Sequence, residues 1–185
     1  MALPATQLLG YFGGVADRSI LFVCLGNICR SPAAEGVMRR LLAERGLGGR
    51  VEVDSAGLID HHAGGPADPR MRAAAAERGM TLTSIARQVE DADFDRFDLI
   101  VAMDASNLEQ LTGEADGLGS DAVEAGRLRM LGSFLPDADP DAAGDGHEEV
   151  PDPYYGDGDG FTRVLNLLED AMPAVLDALL EAPER

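Results

Sequence analysis

The chain has 185 residues, 45% hydrophobic and 26% charged, which suits one globular domain around a single core and excludes a wholly disordered chain. Its formal net charge of −18 excludes a general surface for nucleic acid or anionic membrane, because Lys and Arg would have to neutralise the phosphates. Its two cysteines, Cys24 and Cys29, are too few and too close together for a secreted disulfide framework and point to thiol chemistry.

Residues 1–18 read as an N-terminal extension to a domain spanning 19–185. No basic segment precedes Leu8-Leu9-Gly10-Tyr11-Phe12, and that stretch is too short for a signal sequence or a membrane span, so a cytoplasmic protein is expected. Residues 20–23 form a continuous apolar run of the kind found in buried parallel strands. A helix is expected next, with Ser31 as N-cap and Pro32 in the first turn, ending near Gly46. Residues 51–53 read as a second strand, with Ser55-Ala56-Gly57 as the loop after it. Residues 69–78 read as a helix stopped by Gly79, 97–103 as a buried strand, Asp104 to Asn107 as a helix start, and 128–134 as a fourth strand. From Phe161 to Leu180 the apolar residues recur at helical spacing, with Pro173 expected to bend or divide the helix. This alternation predicts a single-domain α/β fold whose four-stranded, mostly parallel sheet is flanked by helices. Residues 136–160 are rich in Asp, Glu, Gly and Pro and read as a long exposed loop.

Chemistry concentrates in Val23-Cys24-Leu25-Gly26-Asn27-Ile28-Cys29-Arg30-Ser31-Pro32. A short loop between strand and helix can curl until successive backbone N–H groups face inward as an anion-binding nest, and the helix N-terminus adds its positive end. Gly26 and Asn27 are residue types that tolerate the left-handed conformations such a curl needs. Arg30 can clamp two phosphate oxygens with its planar fork, and the same field favours the nucleophilic thiolate of Cys24. Ser31 can donate to the sulfur as it departs. Without a Gly-Lys-[Ser/Thr] sequence, the loop is not a nucleotide P-loop.

Ester cleavage also needs a proton donor. In Val150-Pro151-Asp152-Pro153-Tyr154-Tyr155-Gly156, prolines stiffen the chain around Asp152, a candidate acid for the leaving group and base for the hydrolytic water. Tyr154 and Tyr155 supply aromatic walls in a chain with no Trp.

Together, Cys-Leu-Gly-Asn-Ile-Cys-Arg-Ser-Pro and Asp-Pro-Tyr-Tyr-Gly closely resemble the low-molecular-weight protein tyrosine phosphatases. Weaker echoes lie between them, at Asp54-Ser55-Ala56-Gly57, Gly65-Pro66-Ala67-Asp68-Pro69, Ala86-Arg87-Gln88, Met103-Asp104-Ala105-Ser106-Asn107-Leu108 and Leu131-Gly132-Ser133. The resemblance implies a phosphotyrosine phosphatase acting on protein substrates through a phosphocysteine intermediate, with no metal or other cofactor. It makes Cys24 the nucleophile, Arg30 the phosphate clamp and Asp152 the acid and base. Leu25, Gly26, Ile28 and Cys29 complete the phosphate loop, which Asn27, Ser31 and Ser55 hold in shape. It also implies that Cys29 can form a reversible disulfide with the nucleophile. The chain departs from the family at His61-His62, where many members carry Trp or another large side chain before the His, so His61 becomes a candidate wall and that wall more polar. It departs again at Arg78-Gly79-Met80, where many have His-Gly-Ile, implying loss of a histidine from the loop network.

Blander readings cover the rest. His61 and His62 lack a third ligand at metal spacing and read as a solvated pair. Asp137, Asp139, Asp141 and Glu148 fall at calcium-loop offsets, but Ala142 stands where Gly is needed and Pro140 interrupts, so the match reads as coincidence. Three rival functions are an arsenate reductase, which needs further cysteines; a protein-arginine phosphatase, whose members carry Thr where Ile28 stands; and a catalytically silent phosphotyrosine-binding module. The oligomeric state is left open, with a monomer as the default.

Overall fold

The computed structural model describes residues 16–138, 148–156 and 158–183. Four strands, β1 (Arg18–Cys24), β2 (Val51–Gly57), β3 (Leu99–Ala102) and β4 (Leu128–Met130), form one sheet in the order β2-β1-β3-β4. All three pairings are parallel. The helices are α1 (Arg30–Glu44), α2 (Pro69–Glu77), a single turn α3 (Asp93–Arg96), α4 (Ala105–Leu118) and α5 (Gly160–Glu181).

The central strand β1 shows why the fold has two cores. Ile20, Phe22 and Cys24 point into the layer shared with α1, α2 and α5, while Leu21 and Val23 point into the layer under α3 and α4. With both faces covered, the strand must be apolar throughout, and residues 20–23 are fully buried. Parallel strands bring all their C-terminal ends to one edge, where the loop after β1 meets the loop after β3.

Several sequence expectations need correction. The predicted loop at Ser55-Ala56-Gly57 is the end of β2, paired with Phe22, Val23 and Cys24. The strand expected over 128–134 stops at Met130, and Leu131–Phe134 is a 3-10 turn. Pro173 does not divide α5, which is continuous. Its missing N–H falls opposite the carbonyl of partly exposed Glu169, while Val164, Leu165, Leu168, Met172, Val175, Leu176 and Leu179 form a buried stripe on both sides of it. The expected helical cap at Ser31 is absent. Helix α1 begins at Arg30, after Cys29, without a side-chain cap, because the Ser31 hydroxyl is drawn down into the preceding loop. Of the predicted calcium-like set, Asp139 and Asp141 lie outside the described residues. Among the described residues no group of three or more His, Cys, Asp or Glu side chains could hold a metal, and no helix is long and apolar enough to cross a membrane.

Candidate active site

Cys24 ends β1, and residues 25–29 curl back to start α1. The curl has one strained residue, Asn27, with φ 53°, the only non-glycine positive φ among the described residues. Its side chain is fully employed. Nδ2 donates to Ser31 Oγ at 2.9 Å and Ser55 Oγ at 3.0 Å, while Oδ1 accepts from the Arg87 N–H at 3.0 Å. Ser55 Oγ donates to buried Glu35 at 2.7 Å, and Arg87 is anchored by Asp54 and Asp93. The loop also presses on β2, since a Cβ on Gly57 would lie 3.0 Å from the Asn27 nitrogen, the Gly26 carbonyl carbon and the Leu25 oxygen. A larger residue there would push on the backbone of the loop.

The loop's carbonyls are bound on its outer side. Those of Cys24, Leu25 and Ile28 accept from the N–H groups of Leu58, Ile59 and Asp68 at 3.0, 3.0 and 2.8 Å. A trans peptide carries its N–H opposite its C=O, so the N–H groups of Leu25, Gly26 and Cys29 turn toward the inside of the curl. Together with the N-terminus of α1 they form a nest for an anion. Ser31 Oγ lies 3.1 Å from Cys24 Sγ and donates to the Ala56 carbonyl at 3.2 Å. Its single hydrogen can therefore move between that carbonyl and the sulfur, stabilising negative charge on sulfur when it forms.

Arg30 is almost wholly buried beneath the site and held from three directions. Nη1 donates to Asp104, the N-cap of α4, and to the Val150 carbonyl at 3.2 Å, while Nη2 reaches Asp152 at 3.3 Å. Burial penalises its charge, but the Cys24 sulfur, Asp104 and Asp152 outweigh that cost and hold its pKa above the ordinary arginine value. Cys29 behaves differently. Burial, reinforced by Asp68, Cys24 and Asp152, pushes its thiol up to about 12, so it remains a neutral thiol. Both cysteines are free.

The segment around Asp152, residues 148–156, closes over this floor. Val150 is buried and its N–H bonds to the Met103 carbonyl at 2.9 Å, which threads the chain back over β3. A Cβ on Gly132 would lie 1.9 Å from the Glu148 carbonyl oxygen, so only glycine lets the backbone pass. Asp152, 37% exposed at its side chain, then faces a cavity of about 170 Å³ together with Cys24, Arg30, Leu25, Gly26, Ile28 and Cys29. Tyr154, Tyr155, His61 and the unanticipated Ile59 and His62 form its rim. His62 lies closer in than His61, its ring packed over Gly26 and 6.4 Å from the Tyr154 ring. Tyr155 is 90% exposed and touches the rim through the edge of Tyr154. A larger polar depression of about 880 Å³ lies at the opposite edge of the sheet, but no cysteine is among its described lining residues, and its Arg50 and Arg96 are paired with Asp17 and Glu52.

Thus Cys24, Arg30 and Asp152 converge on one cavity, while Asn27, Ser31 and Ser55 sit behind the loop. The expected histidine deficit at Arg78 needs correction. Arg78 is remote from the loop and ties the end of α2 to Glu169 and Asn166 of α5, and the place beside Asn27 belongs to the Arg87 backbone. Asp104 and the Val150 carbonyl were not anticipated as anchors of Arg30. The helix-start signal at Asp104 was visible in the sequence, but its second oxygen's partner was not.

The family description "Low molecular weight phosphotyrosine protein phosphatase" matches residues 19–184. The chain belongs to the low-molecular-weight phosphotyrosine protein phosphatase family. A low-molecular-weight protein-tyrosine-phosphatase of Streptomyces coelicolor is 44% identical over 165 residues, covering 89% of this chain and 95% of that protein. A crystal structure of the protein tyrosine phosphatase of Entamoeba histolytica, with Hepes in its active site, superposes with a TM-score of 0.77 at 39% identity, covering 89% of this chain and 97% of that one. An arginine phosphatase of Drosophila superposes with a TM-score of 0.72 at 30% identity, over 85% and 95% of the two chains.

Proposed function

We propose that the chain hydrolyses phosphotyrosine in protein substrates, and aryl phosphates generally, through a phosphocysteine intermediate. The observation that carries this reading is the convergence of Cys24, Arg30 and Asp152 on one small cavity lined by Ile28 and Tyr154. The phosphate sits in the loop's nest with two oxygens on Arg30, and Cys24 Sγ attacks phosphorus in line. As the S–P bond forms and the P–O bond breaks, Asp152 passes its proton to the departing phenolate. Asp152 then takes a proton from water, which attacks the phosphocysteine and releases inorganic phosphate. Ser31 stabilises the leaving thiolate, and Cys29 stays protonated.

The likeness to an arginine phosphatase supports a second reading, hydrolysis of phosphoarginine. Ile28 presents apolar surface to the leaving group and favours a phenyl ring over a guanidinium. Phosphotyrosine, phosphoserine and phosphoarginine peptides of one sequence, compared at one enzyme concentration, separate the two. Phosphotyrosine should be turned over fastest, and a preference for phosphoarginine would reject the tyrosine reading. Cys24→Ser should abolish turnover, and acid-quenched single turnover should trap phosphate on wild-type Cys24.

A further inference from the structure

The phosphate loop and the acid loop around Asp152 are joined by a side chain that belongs to neither. Arg70, the second residue of α2, holds Asp68 in a fork, Nη2 to Oδ2 at 2.9 Å and Nε to Oδ1 at 3.1 Å. The Asp68 N–H donates to the Ile28 carbonyl in the phosphate loop at 2.8 Å. On its other side Arg70 Nη1 donates to the Tyr154 carbonyl at 3.2 Å. Its guanidinium also lies 5.3 Å from the Tyr154 ring centroid and 4.9 Å from that of Phe161, at the start of α5. The Tyr154 N–H, finally, donates to Asp152 Oδ1 at 3.0 Å. A continuous path therefore runs from Ile28 through Asp68, Arg70 and Tyr154 to Asp152.

Stability alone does not account for this arrangement. The Arg70 side chain is 48% exposed, and ion pairs at such exposure contribute little to folding. Asp68 is the buried member, 7% exposed, and it already caps α2 by accepting from the Arg70 N–H at 2.8 Å. Only a planar fork can grip that carboxylate with two nitrogens while a third reaches the Tyr154 carbonyl and the flat face meets two rings.

We propose that Arg70 is a positioning residue for the proton donor, fixing the acid loop's height above the phosphate loop. The proposal rests on the reading of Asp152 as general acid. The step it serves is the first, in which the Sγ–P bond forms, the P–O bond breaks and the Asp152 proton goes to the departing oxygen. Protonation matters most when the leaving group is a poor one, so the effect of Arg70 should depend on the leaving group.

The test is the pre-steady-state rate of enzyme phosphorylation with phenyl phosphate, whose phenolate needs the proton, and with 2,4-dinitrophenyl phosphate, whose phenolate does not. Arg70→Ala should lower the phenyl phosphate rate about tenfold, a fraction of the ~10²–10⁴-fold that a general acid supplies. It should leave the dinitrophenyl rate, inhibition by inorganic phosphate and the thermal midpoint near wild type. Arg70→Lys, which keeps charge and ring contact but loses the fork, should show a smaller loss on phenyl phosphate alone. Equal losses on both substrates, or none on either, overturn the proposal. Asp152→Ala run in parallel separates the two failures. If it is selective for phenyl phosphate and Arg70→Ala is not, the positioning role alone falls. If Asp152→Ala is itself unselective, the general-acid reading falls and takes the proposal with it.

Discussion

The two loops that build the site are stabilised in opposite ways. The phosphate loop is a short continuous segment whose backbone bonds to the chain just after β2 and just before α2 and whose polar side chains close on one another through Asn27, Ser31 and Ser55. Among its described residues the acid loop has only short-range bonds of its own, the Tyr154 N–H to Asp152 and the Gly156 N–H to the Pro153 carbonyl. It is held at a few points, the Val150 N–H on Met103, the Val150 carbonyl on Arg30 and the Tyr154 carbonyl on Arg70. An anion nest must be rigid before the phosphate arrives, because its donors stabilise charge only when already oriented. A proton donor needs only the correct distance from one oxygen, which a few long-range tethers can set.

If this contrast holds, damage to the acid loop should slow turnover and leave phosphate binding intact, whereas damage to the phosphate loop should affect binding and folding together. The largest effect is expected from Asp152→Ala, with kcat on phosphotyrosine falling by about 10²- to 10³-fold while inhibition by inorganic phosphate changes little. Loss of phosphate affinity in this variant would break the contrast.

Next comes Asn27→Ala, which removes two donated bonds and one accepted bond and places Ala at a positive φ. Chemical denaturation should show a loss of about 2 kcal/mol, and phosphate inhibition should weaken with it. Gly132→Ala sharpens the comparison from the other side. Its Cβ would displace the Glu148 backbone, so kcat should fall about tenfold with phosphate affinity retained.

The smallest effect concerns pH. The Cys29 thiol is raised from 9.0 to about 12 in the folded protein, so unfolding favours its ionisation. Its contribution to stability is complete below about pH 9 and is lost as pH rises toward 12. Denaturation midpoints measured across that range should therefore fall more steeply for wild type than for Cys29→Ala.

Much of the site was legible in the sequence, for a physical reason. The curl, Cys24 and Arg30 lie within Cys24 to Ser31, where strand, curl and helix follow one another and neighbouring residues share one geometry. The buried apolar run of β1 announced its covered sheet in the same way. Asp152 was legible as a residue of the site because its prolines and tyrosines are adjacent to it, and it lines the same cavity as Cys24.

What only the tertiary structure decided depends on contacts across long stretches of chain. Asp104 grips Arg30 from 74 residues away, and the Val150 carbonyl does so from 120. Ser31 was expected as a helix cap because capping is a local rule, yet Cys24, Asn27 and Ala56 claim its hydroxyl. The loop network was expected to lack a histidine at the place of Arg78, and the fold carries that place to α5, away from the loop. The sequence by itself determined which atoms could do the chemistry, because that is set by residue type and neighbours. The fold decided how those atoms are held, because distance and burial arise only when remote segments meet.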